Sequence, residues 1–204
     1  VLHDEIVCQR IVDALPPGIE NLLEIGPGGG AITKYLMHLP IANYICIEID
    51  KDKIDYLHQL YPEMKGRIVH DDFLDAELPF SQHFTIIGNF PYNISTQIIF
   101  KVLDWKDQVD EVVGMFQKEV AQRIASKHGT KSYGIMSVLV QCFYDIEYLF
   151  DVEASSFTPP PKVVSGVIRL TRNNNPYLIS DEKKFKIFVK AAFNQRRKTL
   201  RNSL

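Results

Sequence analysis

The chain predicts an α/β fold, an open and mostly parallel sheet with helices on both faces. Three observations carry this. Short apolar runs alternate with segments of helical period along most of the chain. The first run, Leu22 to Ile25, ends in a glycine-rich turn, Gly26-Pro27-Gly28-Gly29-Gly30, with a helix behind it. Two late strands, linked through Thr158-Pro159-Pro160-Pro161, suggest a hairpin-like antiparallel finish.

In order, Ile6, Val7, Ile11, Val12 and Leu15 give residues 4–15 a helical period, which Pro16-Pro17-Gly18 ends. Leu22–Ile25 reads as a first strand, Ala31–Leu39 as a helix, Tyr44–Ile49 as a second strand and Asp50–Leu60 as a helix. Arg67–Val69 and Phe84–Ile87 read as the third and fourth strands. Asn93 or Ser95 is expected to cap a helix running to Leu103. Val109–Phe116 is a fifth strand, followed by helices over Lys118–Ser126 and Gly134–Phe143. Ile146–Val152 and the alternating Val163–Leu170 are the last two strands, and Asp181–Asn194 is an amphipathic helix. Seven strands are therefore expected.

The bulk composition narrows the function classes. A length of 204 residues with 46% hydrophobic content fits one globular domain, or one domain and the start of another. No apolar run reaches the ~18 residues of a membrane span, and Val1-Leu2-His3-Asp4-Glu5 is too polar to open a signal peptide. Cys8, Cys46 and Cys142 lack the spacing of a disulfide framework or a metal site and read as buried thiols in a reducing cytoplasm. The net charge of −2 hides an asymmetry: the chain carries −10 through residue 182 and +8 from residue 183 on. An acidic body suits non-specific nucleic-acid binding poorly. A nucleic-acid substrate would be gripped by a local patch such as this tail, whose plainer reading is a solvated helix end.

The glycine turn is the first candidate site. Glycines there let the backbone adopt positive φ and come close to a ligand. Gly26, Gly28 and Ala31 also satisfy G-x-G-x-x-G/A, so a dinucleotide fold competes. Glu48, ending the second strand, can accept from both hydroxyls of a ribose in either ligand class, or be a solvated strand end. Three features favour a sulfonium donor. Glu24 at the strand end would repel pyrophosphate and help place a cation. Pro27 removes an N–H that a phosphate would want. After the third strand, Asp72 can accept from an adenine amine and Phe73 can flank the ring, although Asp71-Asp72 also reads as a plain polar loop.

The second candidate site is Asn89-Phe90-Pro91-Tyr92, behind the fourth strand. The Asn89 side-chain oxygen and a turn carbonyl can accept both hydrogens of an exocyclic amine, and Tyr92 can stack on the ring that bears it. An ordinary strand-to-helix turn with a core aromatic is the plainer alternative.

Glu24-Ile25-Gly26-Pro27-Gly28, Asn89-Phe90-Pro91-Tyr92-Asn93-Ile94-Ser95, Phe116-Gln117-Lys118-Glu119-Val120, Phe157-Thr158-Pro159-Pro160-Pro161-Lys162-Val163 and Ala192-Phe193-Asn194-Gln195-Arg196-Arg197-Lys198 occur in that order. Carrying these motifs, the chain resembles the KsgA-type small-subunit ribosomal RNA adenine dimethyltransferases over nearly its whole length. The resemblance implies a Rossmann-like class I methyltransferase fold and S-adenosylmethionine as methyl donor, with no metal. It implies N6-dimethylation of two adjacent adenines near the 3′ end of small-subunit rRNA during ribosome assembly. Gly26, Glu48, Asp72 and Asn89 would contact the donor, joined by Glu24, Gly28 and Phe73 from the reading above. Asn89, Pro91 and Tyr92 would hold the adenine, with Phe157 as a second aromatic unless it is a core Phe. Arg196, Arg197 and Lys198 would contact rRNA, and Lys162 and Arg201 are grouped with them.

Phe90 stands where the family more often has Leu. The family's donor-covering Gly-Gln-x-Phe-Leu segment and its small helical domain would lie beyond the two ends, so a piece of a longer protein is expected. Residues 1–180 would be the methyltransferase domain and 181–204 a basic helical segment leading into the helical domain. A cytoplasmic monomer acting on the immature small subunit is expected. A resistance-type rRNA methyltransferase, a nicotinamide-dependent oxidoreductase and a ribosome-assembly binding module remain the alternatives.

Overall fold

The computed structural model describes residues 1–173, 179 and 181–194. Helix α1 (Glu5–Asp13) opens the chain, N-capped by Asp4, whose carboxylate accepts from the Ile6 and Val7 amides. Strands β1 (Asn21–Ile25), β2 (Asn43–Glu48) and β3 (Ile68–His70) alternate with helices α2 (Thr33–Leu36) and α3 (Lys51–Leu60). Then come β4 (Phe84–Asn89), α4 (Ser95–Asp104), β5 (Val109–Gln117), α5 (Lys118–Ala125), α6 (Ile135–Gln141), β6 (Tyr144–Val152), β7 (Ser165–Arg172) and α7 (Glu182–Asn194). The seven strands form one sheet in the order β3-β2-β1-β4-β5-β7-β6, parallel except for β7, which runs antiparallel to both β5 and β6.

β1 is buried at every position because both faces of the sheet are covered. Leu23, Ile86, Val112 and Ile168 point to the face packed by α4 and α6. Leu22, Ile87, Val113 and Val167 point to the face packed by α1 and α2. Each such side chain contributes roughly 1.5–3 kcal/mol on burial. Cys8 and Cys46 are buried and Cys142 is half-buried, all three as free thiols; burial pushes the Cys8 thiol up to about 11.

Two local expectations are corrected. The helix expected over residues 31–39 is one turn, Thr33–Leu36, because it starts from a glycine turn without a side-chain cap and meets Pro40. Neither Asn93 nor Ser95 caps α4. The N-cap position is Ile94, and the Ser95 hydroxyl donates back to the Tyr92 carbonyl at 3.1 Å.

β1 lies between β2 and β4. The chain runs outward from β1 to β2 and β3, then crosses back to β4. That reversal opens a crevice at the carboxyl ends of β1 and β4, where such sheets bind ligands. The glycine turn leaves one of these strands and Asn89-Phe90-Pro91-Tyr92 leaves the other.

Candidate active site

On the β1 side, Gly26 and Gly28 have φ of 63° and 57°, which an L side chain rarely adopts. The amides of the turn are largely committed. Gly26 N–H donates to the Ile47 carbonyl at 2.9 Å, and Gly30 N–H to the Pro27 carbonyl at 2.9 Å. Gly28 N–H donates to Glu48 Oε2 at 3.1 Å, while Glu48 Oε1 takes the Asp50 amide at 3.1 Å. Pro27 has no N–H to give. No Lys or Arg lies between Glu24 and Thr33. A pyrophosphate would need free amides and would face the Glu48 carboxylate. This turn is therefore a poor anion cradle. Its chemistry suits a neutral or cationic nucleoside whose hydroxyls donate to Glu48.

Asp72 follows β3, which pairs Glu48 with His70, so the two carboxylates belong to adjacent strand ends. Asp72 is half-buried, and its Oδ1 takes the Leu74 amide at 3.0 Å, fixing the turn. Phe73 corrects the sequence reading. Its ring is 4% exposed and stands edge-on to Trp105 at 5.4 Å, inside the core rather than flanking a ligand.

Glu24 is the second correction. Its carboxylate is not an open anion at the strand end but is 1% exposed. Its Oε1 accepts from the Thr33 hydroxyl at 2.7 Å, the Tyr44 hydroxyl at 2.6 Å and the Cys46 thiol at 3.4 Å. Burial pushes the carboxyl up, against those three hydrogen bonds. Alternation along β1 is the reason: Glu24 shares the Leu22 face and lies under the α2 turn. It ties the helix behind the glycine turn to the sheet.

On the β4 side, Asn89, Phe90, Pro91, Tyr92, Phe157, Pro159 and Pro161 line a shallow pocket of about 240 Å³. Asn89 is the last residue of β4 and half-buried. Phe90, 1% exposed, donates its N–H to the Met115 carbonyl at 3.2 Å, and its ring stands edge-on to Phe116 at 5.1 Å. The ring lies over Gly88 and Gly114, which face each other across β4 and β5. A Cβ on Gly88 would come within 2.7 Å of that ring, and one on Gly114 within 2.4 Å. Two glycines thus make the notch that seats Phe90, and Phe90 fixes the turn carrying Asn89, Pro91 and Tyr92. The Tyr92 hydroxyl is hydrogen-bonded to Ser165 at the start of β7.

Phe157 is 8% exposed, belongs to the core and lines the pocket. Its segment pairs with the first residues of the chain. Leu2 bridges Phe157, Thr158 N–H donates to the Val1 carbonyl at 2.9 Å, and the Ser156 hydroxyl donates to Asp4 Oδ2 at 3.0 Å. Lys162 is exposed just past the proline run. Arg196, Arg197, Lys198 and Arg201 lie outside the described residues. On α7, Lys186 and Lys190 sit 5.0 and 6.0 Å from the centroid of Phe100, on the helix that leaves the Tyr92 turn.

The structure thus brings Gly26, Gly28, Glu48 and Asp72 to one strand-end cluster, and Asn89, Pro91, Tyr92 and Phe157 to one pocket beside it. Sequence reasoning missed Gly88, Gly114 and Ser165. The signals were present: an isolated glycine inside each strand pattern, and a serine in the same phase as the buried Val167.

A family model described as "Ribosomal RNA adenine dimethylase" matches residues 1–204. A Cytophaga hutchinsonii protein named "Ribosomal RNA small subunit methyltransferase A" is 56% identical over 207 residues, covering 100% of this chain and 80% of that protein. Among solved structures, a dimethyladenosine transferase from Plasmodium falciparum aligns with a TM-score of 0.85 at 28% identity, over 100% of this chain and 74% of its own. The 23S rRNA methyltransferase ErmE aligns at 0.80 and 26% identity, over 99% and 82%.

Proposed function

The chain belongs to the ribosomal RNA adenine dimethylase family, and from that premise we propose how its residues share the reaction. It is an S-adenosylmethionine-dependent rRNA adenine methyltransferase acting at N6. The donor supplies an electrophilic methyl group on a sulfonium and leaves as a neutral thioether. The committed amides of the glycine turn and the lack of any Lys or Arg between Glu24 and Thr33 fit this cationic nucleoside and disfavour a dinucleotide. Glu48 accepts from the ribose hydroxyls and Asp72 from the adenine amine of the donor, while Gly26 and Gly28 let the backbone lie close.

An adenine amine is a weak nucleophile because its lone pair is delocalised into the ring. Asn89 and a carbonyl of the Pro91 turn accept its two hydrogens, which favours a more tetrahedral nitrogen and aims the lone pair at the methyl group. Asn89 does not titrate, so it contributes position and polarity; the proton leaves after transfer. The base enters unpaired or flipped, at a cost of a few kcal/mol. Stacking on Tyr92 and Phe157, about 1–3 kcal/mol per base–aromatic stack, offsets that cost.

The substrate in this proposal is a pair of adjacent adenines near the 3′ end of small-subunit rRNA, in an immature subunit. Lys162 and the Arg196, Arg197, Lys198 and Arg201 segment grip phosphates. Residues 1–180 form the methyltransferase domain, and the protein works as a cytoplasmic monomer. Among the described residues no helix is long and apolar enough to cross a membrane. The observation that carries the reading is the placement of Asn89, Tyr92 and Phe157 in one pocket beside the Glu48-closed glycine turn. The test is tritiated methyl transfer to small subunits lacking these methyl groups and, in a parallel reaction, to large-subunit rRNA, with the labelled nucleotide mapped. Label on paired adjacent adenines is expected. Label only on large-subunit rRNA would move the protein to the resistance type, and no label on either would overturn the assignment of the pocket.

A further inference from the structure

We propose that Ser165 is a positioning residue of the acceptor pocket, acting on the target base only through Tyr92. The proposal rests on the reading of Tyr92 as the base platform. Ser165 opens β7 and is fully buried. Its backbone is in register with Gln117 of β5 on one side and Val152 of β6 on the other, so it is among the better fixed positions at this end of the sheet. It falls in the phase of the buried Val167, where an apolar side chain would be the default. A buried hydroxyl is costly unless it is hydrogen-bonded. Here its partner is the hydroxyl of Tyr92, 73 positions away in sequence.

Tyr92 is thereby held at both ends. Its backbone is fixed by the Ser95 hydroxyl, which donates to the Tyr92 carbonyl at 3.1 Å, and by the Ile94 N–H on the Pro91 carbonyl at 3.2 Å. Its ring tip is fixed by Ser165. With the hydroxyl engaged, the ring offers the base its π-face, the part of a tyrosine that stacks irrespective of sequence. A ring ordered before the base arrives spares the ordering cost of an interface side chain, equivalent to a factor of about 2 to 10 in affinity. Serine suits this position because it adds a donor and acceptor to the strand end with little bulk.

The experiment measures KM for unmethylated small subunits, kcat, and the affinity for S-adenosylhomocysteine in Ser165→Ala, Tyr92→Phe and the double variant. Each single variant is expected to raise the subunit KM by roughly 2- to 10-fold with donor affinity unchanged. The double variant should be no worse than either single one, because both remove the same bond. Additive losses, or a Ser165→Ala effect on donor affinity, would overturn the proposal. Should Ser165→Ala fail to fold, Tyr92→Phe decides alone, since it removes the bond without altering the strand; an unchanged KM there overturns the proposal as well. Tyr92→Ala separates the two levels. A loss in Tyr92→Ala with none in Tyr92→Phe sinks only the Ser165 role, whereas no loss in Tyr92→Ala sinks the platform reading beneath it.

Discussion

Replacing Gly114 by Ala should damage the active site from beneath, through Phe90. An added Cβ would stand 2.4 Å from Phe90 Cε2 and 2.9 Å from Phe116 Cε2. Carbon atoms pack best at about 3.5–4.0 Å, so the Phe90 ring would have to retreat by about 1 Å. It has nowhere to go: Phe90 is 1% exposed, stands edge-on to Phe116 and covers Gly88 on its other side. Overpacking of this kind costs about 1–3 kcal/mol. For a chain of this size each kcal/mol lowers Tm by about 2–4 °C, so a fall of roughly 2–12 °C is expected. Activity should suffer more than stability. Phe90 is flanked by Asn89 and Pro91, and a displacement near 1 Å at reacting groups costs on the order of 100-fold in rate. Calorimetry and methyl transfer on the same preparation measure both. Adding Phe90→Leu to Gly114→Ala removes the outer ring atoms and should restore most of each loss. Wild-type Tm and turnover in Gly114→Ala, or a double variant no better than the single, would refute the claim that the glycine notch seats the turn.

Asn89→Ala should abolish methyl transfer with the Tm unchanged; near-normal turnover would end the two-acceptor mechanism. Glu48→Ala should weaken S-adenosylhomocysteine binding by at least tenfold, since about 1.4 kcal/mol is one hydrogen bond to a charged group; calorimetric titration showing equal affinity would contradict it. Glu24→Gln addresses pH. The Glu24 carboxyl is raised in the fold above its ordinary 4.5, so the wild type keeps its full stability below that value and loses some as pH rises through the folded one. The Tm difference, variant minus wild type, should therefore climb with pH from about 4.5 upward, and a flat difference would show that Glu24 does not titrate differently on folding. Converting Arg196, Arg197 and Lys198 together to Ala should lower the salt slope of rRNA binding by about 0.7–0.9 for each phosphate they neutralise. An unchanged slope would make the tail a solvated face.

The sheet was legible because its signals are local. Apolar runs such as Phe84–Ile87 and Val109–Phe116 read directly as strands, and they form the adjacent parallel pair β4 and β5. The antiparallel finish was legible from the proline run, since β7 pairs with both β5 and β6. The spacing of Glu24, Gly26 and Glu48 likewise located the turn beside the crevice. What sequence could not reveal was orientation. The motif positions of Glu24 and Phe73 suggest that both face a ligand, yet both face inward, because the pleat and the packing against Trp105 decide which way a side chain leaves the backbone. Nor could it show that Glu48 closes the glycine turn by accepting from Gly28, a bond spanning 20 positions. The pocket shows the same division of labour. Its rim, Asn89 to Tyr92, is one contiguous motif, whereas its footing comes from Gly114, Ser165 and the Asp4–Ser156 pairing, which lie far apart in sequence. A motif announces which atoms meet the substrate. Their placement to within a fraction of an ångström depends on scattered residues with no chemistry of their own. For that reason the sharpest tests of this active site fall on a glycine and a buried serine as much as on Asn89.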